Sequence, residues 1–132
     1  MAKKSTLNKD LKKVVIDALL DKKGNDVVCL DLRKIPDTVA DYFILAHGDS
    51  APQVRALTEQ VAESAREAGF RAWKQEGNRQ SDWCIVDFGD VVVHVFHRDK
   101  RAFYNLEDLW SDAVREDFDE KGKKLTKRKT KI

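Results

Sequence analysis

The stretch Trp83-Cys-Ile-Val-Asp-Phe, followed by Gly89-Asp90 and Val91-Val-Val-His-Val-Phe96, constrains the fold more than any other part of the chain. Two β-rich runs joined by glycine and aspartate predict a hairpin with a two-residue turn, glycine first as a type II′ turn prefers. That register pairs Phe88 with Val91, Val86 with Val93 and Cys84 with Val95, so one face is wholly apolar and has to meet helices. The opposite face sets Asp87 against Val92, Ile85 against His94 and Trp83 against Phe96. Aromatic and polar together, it reads as a surface meant to be touched.

The rest of the chain supplies the cover. Apolar residues at 7, 11, 14, 15, 18 and 19 have the one-face spacing of an amphipathic helix from Leu7 to Leu19, with Gly24 as its stop. Val27–Leu32 and Tyr42–Ala46 are short apolar runs on either side of the loop at Pro36 and predict strands. Asp49 or Ser50 can cap a second helix carrying Pro52 in its first turn and Val54, Leu57, Val61, Ala65 and Ala68 on one stripe, ended by Gly69. Arg71–Glu76 reads as a strand and Gly77–Ser81 as a polar loop. Asn105 starts a third helix, with Glu107 and Asp108 in its positive first turn and Leu106, Leu109, Trp110, Ala113 and Val114 as its stripe. The order predicts one α/β domain over residues 1–118: a mixed β-sheet with helices mainly on one face. The second helix fits a right-handed crossover between parallel strands. The hairpin edge could support a homodimer.

Charge divides the chain. The net +2 hides a tail, Lys121–Ile132, with seven cations and no acid; without those seven, 18 of the 25 basic residues face 23 acidic ones, and the body stands at −5. The tail over residues 119–132 lacks periodicity and is read as disordered. Its cations can bind RNA phosphates or simply keep the chain soluble. An acidic body repels nucleic acid and attracts basic partners. Cys29 and Cys84 each sit inside an apolar run, outside any CxxC pair, and read as buried, reduced thiols. The opening residues lack a signal-peptide core and no 18 apolar residues run together, so a cytosolic location is expected.

Enzyme chemistry fares poorly against simpler readings. His94 and His97 lie three apart with the first in a strand, which sends the rings to opposite faces and does not favour a shared metal. Asp82, Asp87 and Asp90 could gather Mg²⁺ for nucleotidyl transfer beside Gly48-Asp-Ser50, where a strand leads into a helix N-terminus. That chemistry needs carboxylates at i and i+2 on one strand face, and the position two before Asp87 is Ile85. Asp90 is more simply a turn residue. A nucleotide-binding enzyme remains the alternative to a binding protein. Trp110 and Phe103 fit core packing on a helical stripe, whereas Trp83, with mixed neighbours, is the better anchor for a partner.

Asp41-Tyr42-Phe43, Gly48-x-Ser50-x-x-Gln53, Glu76-Gly77, Asp82-Trp83, Asp87-x-Gly89-Asp90-Val-Val-Val-His94-Val-Phe96 and Arg101-x-Phe103-Tyr104-x-Leu106-Glu107-x-Leu109-Trp110 together resemble the ribosomal silencing factor family, RsfS or Iojap. The resemblance runs in order and spacing from about Leu7 to Ala113. It implies a nucleotidyltransferase-like topology without the catalytic residues, no cofactor and a non-enzymatic role. It further implies binding to the large ribosomal subunit through universal large-subunit protein fourteen. Joining of the small subunit is thereby blocked, and translation is repressed when nutrients are short. Carried onto this chain, the partner-binding residues would be Asp82, Trp83, Asp87, Asp90 and His94 with Tyr104, Glu107 and Trp110. The basic tail departs from the shorter family pattern, so contact with ribosomal RNA is an expectation from its charge.

Overall fold

The structure is a computed structural model that describes residues 4–38, 40–77, 82–119 and 124–129. Most of the loop expected at Gly77–Ser81, and residues 120–123 and 130–132 of the tail, lie outside that range. In chain order the elements are α1 (Lys4–Asp21), β1 (Asn25–Asp31), β2 (Tyr42–Gly48), α2 (Ala51–Glu67), β3 (Lys74–Gly77), β4 (Trp83–Asp87), β5 (Val91–His97), α3 (Arg98–Tyr104), α4 (Leu106–Leu109), β6 (Val114–Phe118) and β7 (Lys124–Lys129).

The strands form one seven-stranded sheet ordered β3-β4-β5-β2-β1-β6-β7, parallel at β2–β5 and antiparallel at every other pairing. The hairpin has the expected register: Cys84 faces Val95, Val86 faces Val93, and Trp83 faces Phe96. Phe88 N–H donates to the Val91 carbonyl at 2.9 Å, closing the turn with Gly89 at φ +92°. Gly89 is needed there because that φ is left-handed and a Cβ would come within 3.3 Å of the Trp73 ring.

The apolar hairpin face meets α1 and α2. Leu11, Val15 and Leu19 of α1 and Val54, Leu57 and Val61 of α2 pack with Cys29, Ile44, Val86, Val93 and Val95 in one core. Gly24 stops α1 as expected, its N–H donating to the Leu19 carbonyl at 2.8 Å. Ser50, rather than Asp49, caps α2: its Oγ accepts from Gln53 N–H at 3.2 Å, while Gln53 Oε1 accepts from Asp49 N–H at 2.8 Å. Both cysteines are buried free thiols, and burial raises the Cys29 pKa to about 12.

Five expectations need correction. The parallel neighbour of β2 is β5, while β3 stands three places away at the sheet edge. Lys74–Gly77 is polar and exposed along its length, whereas β5 is buried over six of its seven residues, so hydrophobic burial assigns the central place to β5. The hairpin strand β4 is not an edge either, since β3 pairs along it. The third helix is broken: α3 ends at Asn105, in the left-handed region at φ 47°, and α4 lasts four residues. Val114, expected on the helical stripe, begins β6, whose pairing with β1 from Asp31↔Val114 to Val28↔Asp117 overrides a locally helical spacing. Finally, Lys124–Lys129 is not disordered but pairs with β6 as the other sheet edge. Its lack of apolar periodicity, taken as a sign of disorder, is compatible with an edge strand whose pairing comes from the backbone.

The Ser50 cap satisfies an orphan amide of the longest crossover element. Ser50→Ala should lower stability by about 1 kcal/mol, read as a reduced urea midpoint with unchanged slope.

Candidate functional site

On the face away from α1 and α2, the side chains of β4, β5 and β2 form an aromatic stack. Trp83 lies on Phe96 with ring centroids 5.1 Å apart, His94 meets the Phe43 ring edgewise at 4.7 Å, and Phe43 meets Trp110 edgewise at 5.6 Å. Strand alternation and the hairpin register bring these groups together, since Trp83 and Phe96 are directly opposed and His94 lies two residues before Phe96. Trp83 Nε1–H donates to His94 Nδ1 at 3.1 Å. The proton of neutral His94 therefore sits on Nε2, a buried atom without a hydrogen-bond partner.

This face is not open as expected. Short α3 and α4 roof it: Leu106 and Ala113 pack with Phe43, Leu45, Val92 and Phe96, and Tyr104 lies 4.5 Å from the Trp83 ring. His94 is only 5% exposed and Phe96 fully buried, so His94 serves to hold the indole rather than to meet solvent. The roof is itself where apolar surface emerges. Phe103 is 75% exposed, Leu109 70% and Tyr104 43%. Phe103, expected in the core, stands outside because α3 ends one residue later and turns away at Asn105.

Arg101 fastens the roof to the sheet. Its buried guanidinium donates through Nη1 to the Asp26 carbonyl at 2.7 Å and the Asn25 carbonyl at 3.3 Å, and lies 3.0 Å from His47 Nδ1. Its Nε donates to Glu107 Oε2 at 3.3 Å. Burial first, and then the Arg101 charge, push the His47 pKa below its ordinary value, which suits a ring that accepts from a guanidinium. Sequence reasoning took Arg101 as part of a motif but assigned it no role. A lone arginine in a short polar helix carries no periodic signal, and only the chain's return past Asn25 gives it carbonyls to bind.

Of the expected site residues, Trp83, His94, Tyr104 and Trp110 belong to this stack and Glu107 to the Arg101 cluster beside it. Asp87 Oδ1 accepts from Gly89 N–H at 2.7 Å within the hairpin turn. The Asp90 carbonyl accepts from the amides of Asp41 and Tyr42, and the Asp82 carbonyl from the amide of His97. Phe43 and Phe96 complete the stack without having been singled out as partner-binding residues. His97 caps α3, its Nδ1 accepting from Asp99 N–H at 3.3 Å. Among the described residues no three carboxylate, imidazole or thiol groups are placed to hold a metal ion, and no helix is long and apolar enough to cross a membrane.

The second sheet face of this mixed α/β domain thus carries a roof of two short helices whose outer side exposes Phe103, Tyr104 and Leu109. Residues 5–132 match the family model described as ribosomal silencing factor during starvation, RsfS. The chain is 45% identical over 111 residues to the ribosomal silencing factor RsfS of Bacillus subtilis, spanning 84% of this chain and 93% of that one. It is 44% identical over 106 residues to the corresponding protein of Halalkalibacterium halodurans, spanning 80% and 90%. A crystal structure of a protein from Chromobacterium violaceum superposes with a TM-score of 0.74 at 40% identity, covering 77% of this chain and 84% of that one. The chain belongs to the ribosomal silencing factor family.

Burial lowers the His94 pKa to about 4, from an ordinary value near 6.5. The unfolded chain thus binds a proton that the folded one refuses. The stabilisation is complete above about pH 6.5 and is lost as the pH falls toward 4. Between pH 7 and about pH 4.5 this residue should account for about 2 to 3 kcal/mol of lost stability. Urea titrations of the wild type and His94→Gln, which keeps an acceptor for the indole, isolate it: the variant should lose less stability over that interval.

Proposed function

We propose that the roof of α3 and α4 is the surface through which this ribosomal silencing factor binds the large ribosomal subunit, at universal large-subunit protein fourteen. Bound there, the domain blocks joining of the small subunit and represses translation under nutrient limitation. The observation that carries this reading is the group of Phe103, Tyr104 and Leu109, exposed above a packed aromatic stack. Large apolar side chains on a rigid base lose little entropy on binding and so make effective anchors.

Charge supports the same choice. Residues 105–112 hold Glu107, Asp108 and Asp112 with no cation, and Asp108 and Asp112 are exposed. Carboxylates beside an apolar patch speed encounter with a basic ribosomal protein and orient it, while the rings supply the desolvated contact. Steric exclusion then needs no catalytic group. Trp83 acts from beneath, as the platform on which Tyr104 rests, so its removal would disturb the surface as well as any contact the indole itself makes.

The direct test replaces exposed anchors. Tyr104→Ala combined with Leu109→Ser should weaken co-sedimentation with the large subunit about thirtyfold, about 2 kcal/mol, and relieve the block in a subunit-joining assay. A folded double variant that binds and blocks as well as the wild type removes this face from the interface.

A further inference from the structure

β3 ends the sheet on the hairpin side, and its residues Lys74–Gly77 are exposed along their length. Which of its backbone groups face outward follows from the hairpin. Phe88 and Val91 close the turn as a hydrogen-bonded pair, Phe88 N–H donating to the Val91 carbonyl at 2.9 Å. Alternation along β4 then turns the amides and carbonyls of Asp87 and Ile85 toward β3. The Asp87 carbonyl accordingly accepts from Trp73 N–H at 2.7 Å. The β3 partners of Asp87 and Ile85 are Lys74 and Glu76. The N–H and C=O of Gln75 and Gly77 therefore point away from the sheet, toward a strand that none of the described residues provides.

The side chains of this edge select what fits it. Lys74 and Glu76 project on the face of the aromatic stack, opposite Asp87 and Ile85, and Lys74 Nζ lies 3.2 Å from Glu76 Oε1. An antiparallel second copy paired through Gln75 sets Lys74 against the partner's Glu76 and Glu76 against the partner's Lys74. These are non-hydrogen-bonded positions, where opposed Cα atoms stand about 4.5 Å apart and side chains meet most closely. The ion pair within each strand then becomes half of a ring of four charges alternating in sign. Centring the pairing on residue 74 or 76 instead opposes lysine with lysine or glutamate with glutamate, which disfavours those registers. On the other face Gln75 borders an open groove of about 460 Å³ whose wall on α2 includes Glu59, Ala62 and Glu63. That space admits the partner's Gln75 side chain.

We propose that β3 is a dimer edge that takes a second copy of this chain, antiparallel and two-fold symmetric about Gln75. The homodimer expected of an exposed hairpin edge thus falls to the strand that pairs along β4. A two-fold axis between antiparallel strands stands perpendicular to the sheet. It keeps α2 on the same side in both copies and leaves both α3–α4 roofs uncovered on the other. A four-residue strand with charged flanks makes a weak, reversible dimer rather than an obligate one.

Sedimentation velocity of the full chain from micromolar to millimolar concentration tests it, and a reversible monomer–dimer equilibrium is expected. Gln75→Pro removes an outward N–H and no bond to β4. It should leave the near-ultraviolet spectrum unchanged while the protein stays monomeric throughout. Lys74→Glu and Glu76→Lys should each raise the dimer dissociation constant about tenfold or more by placing like charges across the two-fold. Mixing those two variants should restore association as a heterodimer, and the chain carrying both exchanges should again pair with itself. A wild type that stays monomeric at millimolar concentration, a dimer that survives Gln75→Pro, or a mixture of the charge variants that fails to associate overturns the proposal. So does a dimer lost in the Tyr104→Ala, Leu109→Ser variant, which would place the contact on the roof.

Discussion

The structure depends on the parallel pairing of β2 and β5. β2 is buried at all seven positions and β5 at six of seven. Such strands bury side chains on both faces and need cover on both. α1 and α2 supply it generously on one side. On the other side the cover is two short helices joined at a left-handed asparagine, and the consequences for function follow from that thinness. A four-residue helix cannot bury all its apolar residues, so Leu106 points in and Leu109 points out.

Stability and recognition are joined through the same side chains. The indole of Trp83 is stacked on Phe96, hydrogen-bonded to His94 and overlaid by Tyr104. Arg101 ties the roof to the carbonyls that begin β1. A buried guanidinium is costly to desolvate unless its donors are occupied, and here they meet carbonyls, a carboxylate and a neutral imidazole. The exposed rings consequently stand on a foundation that does not have to reorganise when a partner arrives.

Charge divides the chain. The acidic residues of α4 and the turn after it adjoin the apolar roof, whereas seven of the 25 basic residues lie in the last twelve positions of the sequence. The net +2 conceals this division because the two contributions nearly cancel.

Alternation and turn chemistry in the sequence determined the hairpin, its register, the two long helices and their stops, because these depend on residues close together in the chain. The motif spacing was likewise enough to identify the family. Only the tertiary structure decided that β5 rather than β3 lies beside β2, that Val114 enters a strand, and that Lys124–Lys129 completes the sheet. Each depends on backbone pairing with residues distant in sequence, and such pairing leaves no periodic trace when the strand is polar or short. The same reason hid the state of the aromatic face. Its residues were legible as a group, but whether they are roofed or open depends on where α3 ends, and a single left-handed residue at position 105 settles it.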